Sequence, residues 1–317
     1  MIIEKIDSIK LKRILGHSKF EIINEIPNDA KVKLFNIKNH QEIMYISNQN
    51  HRIKIKKLSK DKYLRVDTGE IKNFVHNETR KDDLSSVSST VKKIRNLINN
   101  NFCGGIKEFM FTVTYKENMK DVKILYSDFN KFIKRLSYNF KDNKFEYISI
   151  VEPQGRGAWH CHVLLKFENG IDFIENKFVA KLWRNGFVTV RRIKSNVDNI
   201  GAYLSAYLTN LEYTKDNVKL LNKMGLDSDK MRFKDIEVNN KNKKFIKGGR
   251  LYLYPAGVRM FRKSKGINYP EIIKGKYKEI KEKYNLKDPF YIQTVFIKDD
   301  ERKFVSRNIY EQYKVNC

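Results

Sequence analysis

The chain has 317 residues, 41% of them hydrophobic and 12% aromatic, which is enough to bury a domain-sized core and excludes a wholly disordered polymer. It carries 64 Lys and Arg against 37 Asp and Glu, a formal net charge of +27, so the expected partner is a polyanion. No apolar run reaches the roughly 20 residues of a membrane span, and residues 1–12 mix apolar with charged side chains, so no membrane partner and a cytoplasmic location are expected. Cys103, Cys161 and Cys317 are odd in number and widely spaced, with no Cys-x-x-Cys pair, so neither a disulfide framework nor a zinc ribbon is expected.

In chain order, residues 37–57 read as strand-rich. Residues 85–99 read as a helix, with Val91, Ile94, Leu97 and Ile98 at helical spacing and Gly104-Gly105 beyond its end. From there the pattern becomes regular. Residues 109–115 are aromatic and β-branched and predict a strand. Residues 121–140 predict an amphipathic helix with Val122, Leu125, Phe129, Phe132, Ile133 and Leu136 on one face. Strands are expected at 145–151 and 160–167, joined as a hairpin by the Pro- and Gly-containing turn 152–157. A helix at 171–184, a strand at 187–193 and a helix at 197–211 follow. This order predicts an α+β fold, a central antiparallel sheet with helices on one face. Residues 240–266 hold nine basic side chains and no acidic one, interleaved with Phe245, Tyr252, Tyr254 and Phe261. That mixture suits nucleic acid, although a solvated basic hairpin whose rings face the core has the same composition.

His160 and His162 stand two apart on a predicted strand, so both imidazoles share a face. Glu152, at the end of the neighbouring strand, is within reach as a third ligand, and a His/His/Glu set leaves positions open for a phosphate oxygen around a divalent cation. Tyr203 and Tyr207 are four apart and share one helix face. A phenol needs a neighbouring cation or a polarised phosphate to act as a nucleophile. Attack on DNA phosphorus gives a covalent phosphotyrosine and a free 3′-hydroxyl.

The run from Glu152 through Pro-Gln-Gly-Arg-Gly-Ala-Trp to His160-Cys-His162-Val-Leu-Leu resembles motif 2 of the HUH endonucleases, and more narrowly that of the rolling-circle replication initiators of small plasmids and single-stranded DNA phages. Residues 109–115 resemble their motif 1. Tyr203-Leu-Ser-Ala-Tyr207-Leu-Thr-Asn resembles the two-tyrosine form of motif 3, and residues 248–262 resemble a segment that follows it. The resemblance covers about residues 106–265. It implies an RRM-like palm, a Mg²⁺ or Mn²⁺ ion on His160, His162 and Glu152, and nucleophilic Tyr203 and Tyr207. Single-stranded origin DNA would be the substrate, with a host helicase and DNA polymerase as partners, since no P-loop motif occurs in the chain. Motif order, tyrosines after histidines, is that of initiators rather than conjugative relaxases. The family lysine three residues after a motif 3 tyrosine is absent: Ala206 and Asn210 stand there, which implies either a compensating base, Lys215 or Arg156, or a weakened enzyme.

Arg156, Lys244, Arg250, Arg259, Arg262 and Lys263 are the expected DNA contacts. The expected division is a basic N-terminal region 1–103 for DNA recognition, a nicking domain 104–266 and a helical C-terminal extension 267–317. The rival readings are a relaxase or transposase-type strand transferase and a non-catalytic DNA-binding regulator on the same fold.

Overall fold

The computed structural model describes residues 2–7, 25–48, 55–74, 84–194, 200–238, 241–255, 257–298 and 304–315. The chain forms two compact units, one of residues 1–75 with 270–317, the other of residues 76–269.

In chain order, the first unit contributes β1 (Ile2–Asp7), β2 (Lys31–Asn36), β3 (His40–Ile46), β4 (Ile55–Lys57), β5 (Lys62–Arg65) and β6 (Ile71–Asn73). The second contains α1 (Leu84–Asn101), β7 (Glu108–Thr114), α2 (Val122–Asn139), β8 (Phe145–Pro153), β9 (Trp159–Phe167), α3 (Asn176–Trp183), β10 (Val188–Arg192) and α4 (Ile200–Thr209). It continues with β11 (Leu211–Glu212), α5 (Lys215–Lys223), β12 (Phe233–Val238), β13 (Lys241–Ile246), a 3₁₀ turn at Gly249–Leu253 and β14 (Phe261–Lys263). The chain then returns to the first unit through β15 (Glu271–Lys276), α6 (Tyr277–Lys283), β16 (Tyr291–Lys298) and β17 (Phe304–Lys314).

The first unit is a six-stranded antiparallel sheet in the order β1-β16-β17-β3-β2-β15. Leu34, Ile43 and Ile309 are fully buried on one face, with Val32, Tyr313 and the α6 residue Ile280 in the same cluster. Strands from both parts of the chain are interleaved in this sheet, so the N-terminal and C-terminal segments build one unit together. The C-terminal segment, expected to be helical, is mostly strand: its one described helix, α6, has seven residues. The acid–base pairs Lys276–Glu279 and Lys278–Glu282 give it helical i,i+3 and i,i+4 spacing, but this pattern stops after one turn or two.

The second unit is built on a five-stranded antiparallel sheet, β10-β7-β9-β8-β14. The mixed α+β class and the β8–β9 hairpin are as expected. Alternation sorts its side chains. Phe109, Phe111 and Val113 of β7 face α2 and α3, where Trp183 meets Tyr115 and Phe132 edge-on, and Phe140 packs on Phe167. Asp121 caps α2 by accepting from the Lys123 amide at 2.7 Å, as an N-cap carboxylate does. The opposite face carries Ile148, Ile150 and Leu164, all nearly inaccessible, and α1, whose Ile94, Leu97 and Ile98 belong to the same core. Lys166 on that face donates to the Asn101 carbonyl at the end of α1. Helices therefore bury both sides of the sheet at one end, more than amphipathic spacing on its own predicts. A smaller sheet, β11-β13-β12, is attached.

The basic tract 240–266 is not one hairpin. Its first part is β13, paired with β12, and its last part is β14, paired with β8. Phe245 and Tyr254 are buried, so two of its four rings serve the core.

Candidate metal and DNA-processing site

Hairpin register builds the site. Glu152 of β8 lies opposite His160 of β9, and Ile150 lies opposite His162. Across the other edge of β9, Thr114 pairs with His160 and Thr112 with His162. Directly paired residues share a face, so both imidazoles, the carboxylate and two threonines converge on one side of the sheet. The turn that permits this closes with Gln154 and Ala158 bonded to each other and with the Gly157 amide on the Gln154 carbonyl. Gly157 adopts φ +84° there, a left-handed conformation that favours glycine.

Glu152 is held from two sides. One carboxylate oxygen lies 2.6 Å from His162 Nε2 and the other 2.7 Å from Arg250 Nη1. Thr112 Oγ1 contacts His162 Nδ1 at 3.1 Å, fixing the ring from its other nitrogen as an outer partner of a ligating histidine does. Burial opposes the ionisation of Glu152, but the Arg250 charge and the His162 hydrogen bond outweigh it and bring its pKa down to about 2. Burial pushes His160 down to about 4, against the attraction of Glu152, so His160 is neutral near pH 7 and one ring nitrogen carries a lone pair. His160 Nε2 is buried and makes no hydrogen bond. Between the histidines, Cys161 points to the opposite face, buried, its thiol pushed up to about 12 by desolvation.

Arg250, expected among the DNA contacts, is instead an internal strut. It is 6% exposed. Besides Glu152, its Nη1 donates to the Pro153 carbonyl at 2.6 Å and its Nε to the Asn210 carbonyl at 3.1 Å. Asn210 closes the end of α4 and accepts the Gly248 amide on its side chain at 3.3 Å. Gly248 takes φ +71° to enter the 3₁₀ turn that presents Arg250. Arg250 thus ties the carboxylate of β8 to the end of the helix that carries the tyrosines. The position where the resemblance calls for a lysine is part of this link, and sequence reasoning missed the role because the cation arrives from a turn 97 residues beyond Pro153.

The backbone of α4 holds Tyr203 and Tyr207 one turn apart, but their side chains, and that of Ala206, lie outside the described residues. Arg156 is exposed on the hairpin turn, bonded to Gln154 at 3.0 Å. Lys244 is exposed, with Nζ 4.5 Å from the Phe233 ring centroid. Arg259, Arg262 and Lys263 lie along β14 and the residues before it. Lys215 begins α5.

The donor chemistry of two imidazoles and one carboxylate fits a divalent cation, and so does the unpartnered Nε2 of His160. With both Glu152 oxygens engaged by Arg250 and His162, no group of three His, Cys, Asp or Glu side chains stands gathered for a metal among the described residues.

Fold and site together define an α+β domain that displays a paired-imidazole and carboxylate cluster on an antiparallel sheet. Residues 108–212 of it match a family of replication-associated proteins, the ORF2 type. The match runs from β7 to β11 and contains Glu152, both histidines and both tyrosines; Arg250 lies beyond it. It supports a role in replication and DNA as the partner. No curated protein and no solved structure matches the chain. No described helix is long and apolar enough to cross a membrane.

Proposed function

We propose that the protein is a replication initiator of HUH type that nicks single-stranded origin DNA. The observation that carries this reading is His160 Nε2, buried without a partner on the face where Glu152 and His162 meet, inside the span similar to replication-associated proteins. A Mg²⁺ or Mn²⁺ ion held by His160, His162 and Glu152 would supply polarisation of the scissile phosphate. The chain's own residues do the rest. Arg250 and Thr112 fix Glu152 and His162 from behind. Neutral His160 keeps a lone pair available. The phenol oxygen of Tyr203 or Tyr207 bonds to phosphorus as the bond to the 3′-oxygen breaks. The strand is left as a 5′-phosphotyrosine ester and a 3′-hydroxyl that a host polymerase can extend once a host helicase opens the duplex. The second tyrosine, or reversal, rejoins the strand.

A labelled single-stranded origin oligonucleotide incubated with Mn²⁺ should give a covalent adduct that survives denaturation. No adduct should form when the metal is chelated beforehand, nor in the double variant Tyr203→Phe, Tyr207→Phe. Absence of an adduct with every origin-derived strand would overturn the enzyme reading. One observation favours a second reading, a non-catalytic DNA-binding protein on this fold: both oxygens of Glu152 are already engaged by protein groups. A relaxase or transposase-type activity would form the same adduct, on a transfer origin or an element end.

A further inference from the structure

The five-stranded sheet ends in β14, which among the described residues pairs only with β8. Beside this edge lies a cavity of about 600 Å³ lined by Tyr147, Arg259, Phe261, Arg262 and Lys263. Among its described lining residues are three cations and two rings, and none of them is acidic. Its size is that of a site for a small organic ligand.

Register places this edge relative to the histidines. Phe261 lies opposite Ile150, and Ile150 lies opposite His162. Phe261 and His162 therefore share a face two strands apart, roughly 10 Å at the usual strand spacing. Arg262 lies opposite Ser149 and points the other way, its guanidinium 3.9 Å from the Tyr126 ring centroid. Arg262 Nη1 reaches Asn130 at 3.3 Å, while its Nε is buried and makes no hydrogen bond. The Tyr126 hydroxyl donates to the Arg259 carbonyl at 2.9 Å, which fixes the backbone and leaves the Arg259 side chain exposed. Lys263 Nζ is anchored on the Ile267 carbonyl at 2.6 Å.

A cation with an unspent, desolvated N–H and no carboxylate beside it in the cavity is relieved by an anionic acceptor. Half-buried rings next to such cations accept the flat face of a base, which is accessible only when the base is unstacked from a duplex. We propose that the β14 cavity is a nucleotide subsite for single-stranded DNA, holding a phosphate with Arg259 and Arg262 and a base against Phe261 or Tyr147. At about 3.4 Å per nucleotide of a stacked strand, the subsite lies about three nucleotides from the histidine face. Its placement beside a cleaved bond rests on the nicking reading; its binding of single strands does not.

The test is equilibrium binding of a fluorescein-labelled single-stranded oligonucleotide of mixed sequence to the full chain in EDTA, where no cleavage occurs. Phe261→Ala should weaken binding by about 5- to 100-fold, the range for loss of one stacked base, and Phe261→Trp should restore it. Arg259→Gln alters an exposed side chain and cannot unsettle the edge strand. It should weaken binding and lower the slope of log affinity against log salt by about one. Phe261→Leu, checked for an unchanged melting temperature, guards against a loss that is merely structural. Binding within about twofold of the wild type in all three weakening variants would overturn the subsite. So would equal affinity for duplex DNA with no effect of Phe261. If the variants lose binding while the wild type never forms a covalent adduct, the subsite stands and the nicking reading fails. If the adduct forms and the variants bind normally, the reverse holds.

Discussion

The two faces of β9 differ in what burial demands of them. On one, Trp159, Cys161, Val163 and Leu165 are packed among aromatic and aliphatic neighbours and stabilised chiefly by burial, the Trp159 indole N–H being met by the Lys120 carbonyl at 2.8 Å. On the other, His160 and His162 meet Glu152 and Arg250, where burial is costly unless every charge and polar atom has a partner. The second face meets that demand almost completely, and the remainder, His160 Nε2, is the atom that marks a function. One strand thus separates a structural side from a chemical side by alternation alone.

The largest test of this contrast is Arg250→Gln. It leaves Glu152 buried with one oxygen unpaired, and loss of one member of a buried ion pair costs about 3–5 kcal/mol. Urea unfolding should report a loss of that size, and the double variant Arg250→Gln, Glu152→Gln should recover a good part of it, because the charge that needed a partner is gone. If the single variant unfolds like the wild type, Arg250 is no strut, and the polar face is held together by something else.

Much of this contrast is legible in the sequence, and the reasons are local. Alternation places His160 and His162 on one face and Cys161 on the other, and the Pro and Gly residues between 152 and 158 announce the turn that brings Glu152 back opposite His160. The strut is not legible, because Arg250 enters from a 3₁₀ turn after a separate small sheet, and nothing in its own neighbourhood distinguishes it from the eight other cations of its tract. The same limit hides the first unit. β3 pairs with β17, so Gln41 and Tyr313 are partners across almost the whole chain, and periodicity within either segment cannot reveal that pairing. The burial of the histidine face by α1 is also unannounced: its apolar stripe is readable, but not which side of the sheet it covers.

A smaller test uses acid. In the unfolded chain His160 titrates near 6.5 and Glu152 near 4.5; in the fold they lie at about 4 and about 2. Both folded values are depressed, so as pH falls the unfolded state takes up each proton first and stability drops. His160 contributes a loss between about 6.5 and 4, and Glu152 a loss between about 4.5 and 2, each on the order of 3 kcal/mol for a shift of that size. Unfolding free energies of the metal-free protein, followed from neutral pH downward, should show two overlapping descents. His160→Gln should flatten the upper one and Glu152→Gln the lower. A single descent unaffected by either variant would mean that the polar face is as indifferent to protons as the apolar one.

The smallest expected effect concerns the residue between the histidines. Cys161 sits inside the most suggestive triplet of the chain, yet its side chain is 1% exposed, on the apolar side of the sheet. Its thiol is held near 12 by burial, so the thiolate, the only form that ligates a metal or attacks an electrophile, is negligible near neutral pH. Cys161→Ala should therefore cost about 1 kcal/mol of stability, the transfer value of one small buried group, and leave adduct formation within about twofold of the wild type. In the native protein the thiol should resist iodoacetamide and become reactive only on unfolding. Loss of the adduct in Cys161→Ala at unchanged stability would place the cysteine in the chemistry, and the division of β9 into a structural and a chemical face would fail at its centre.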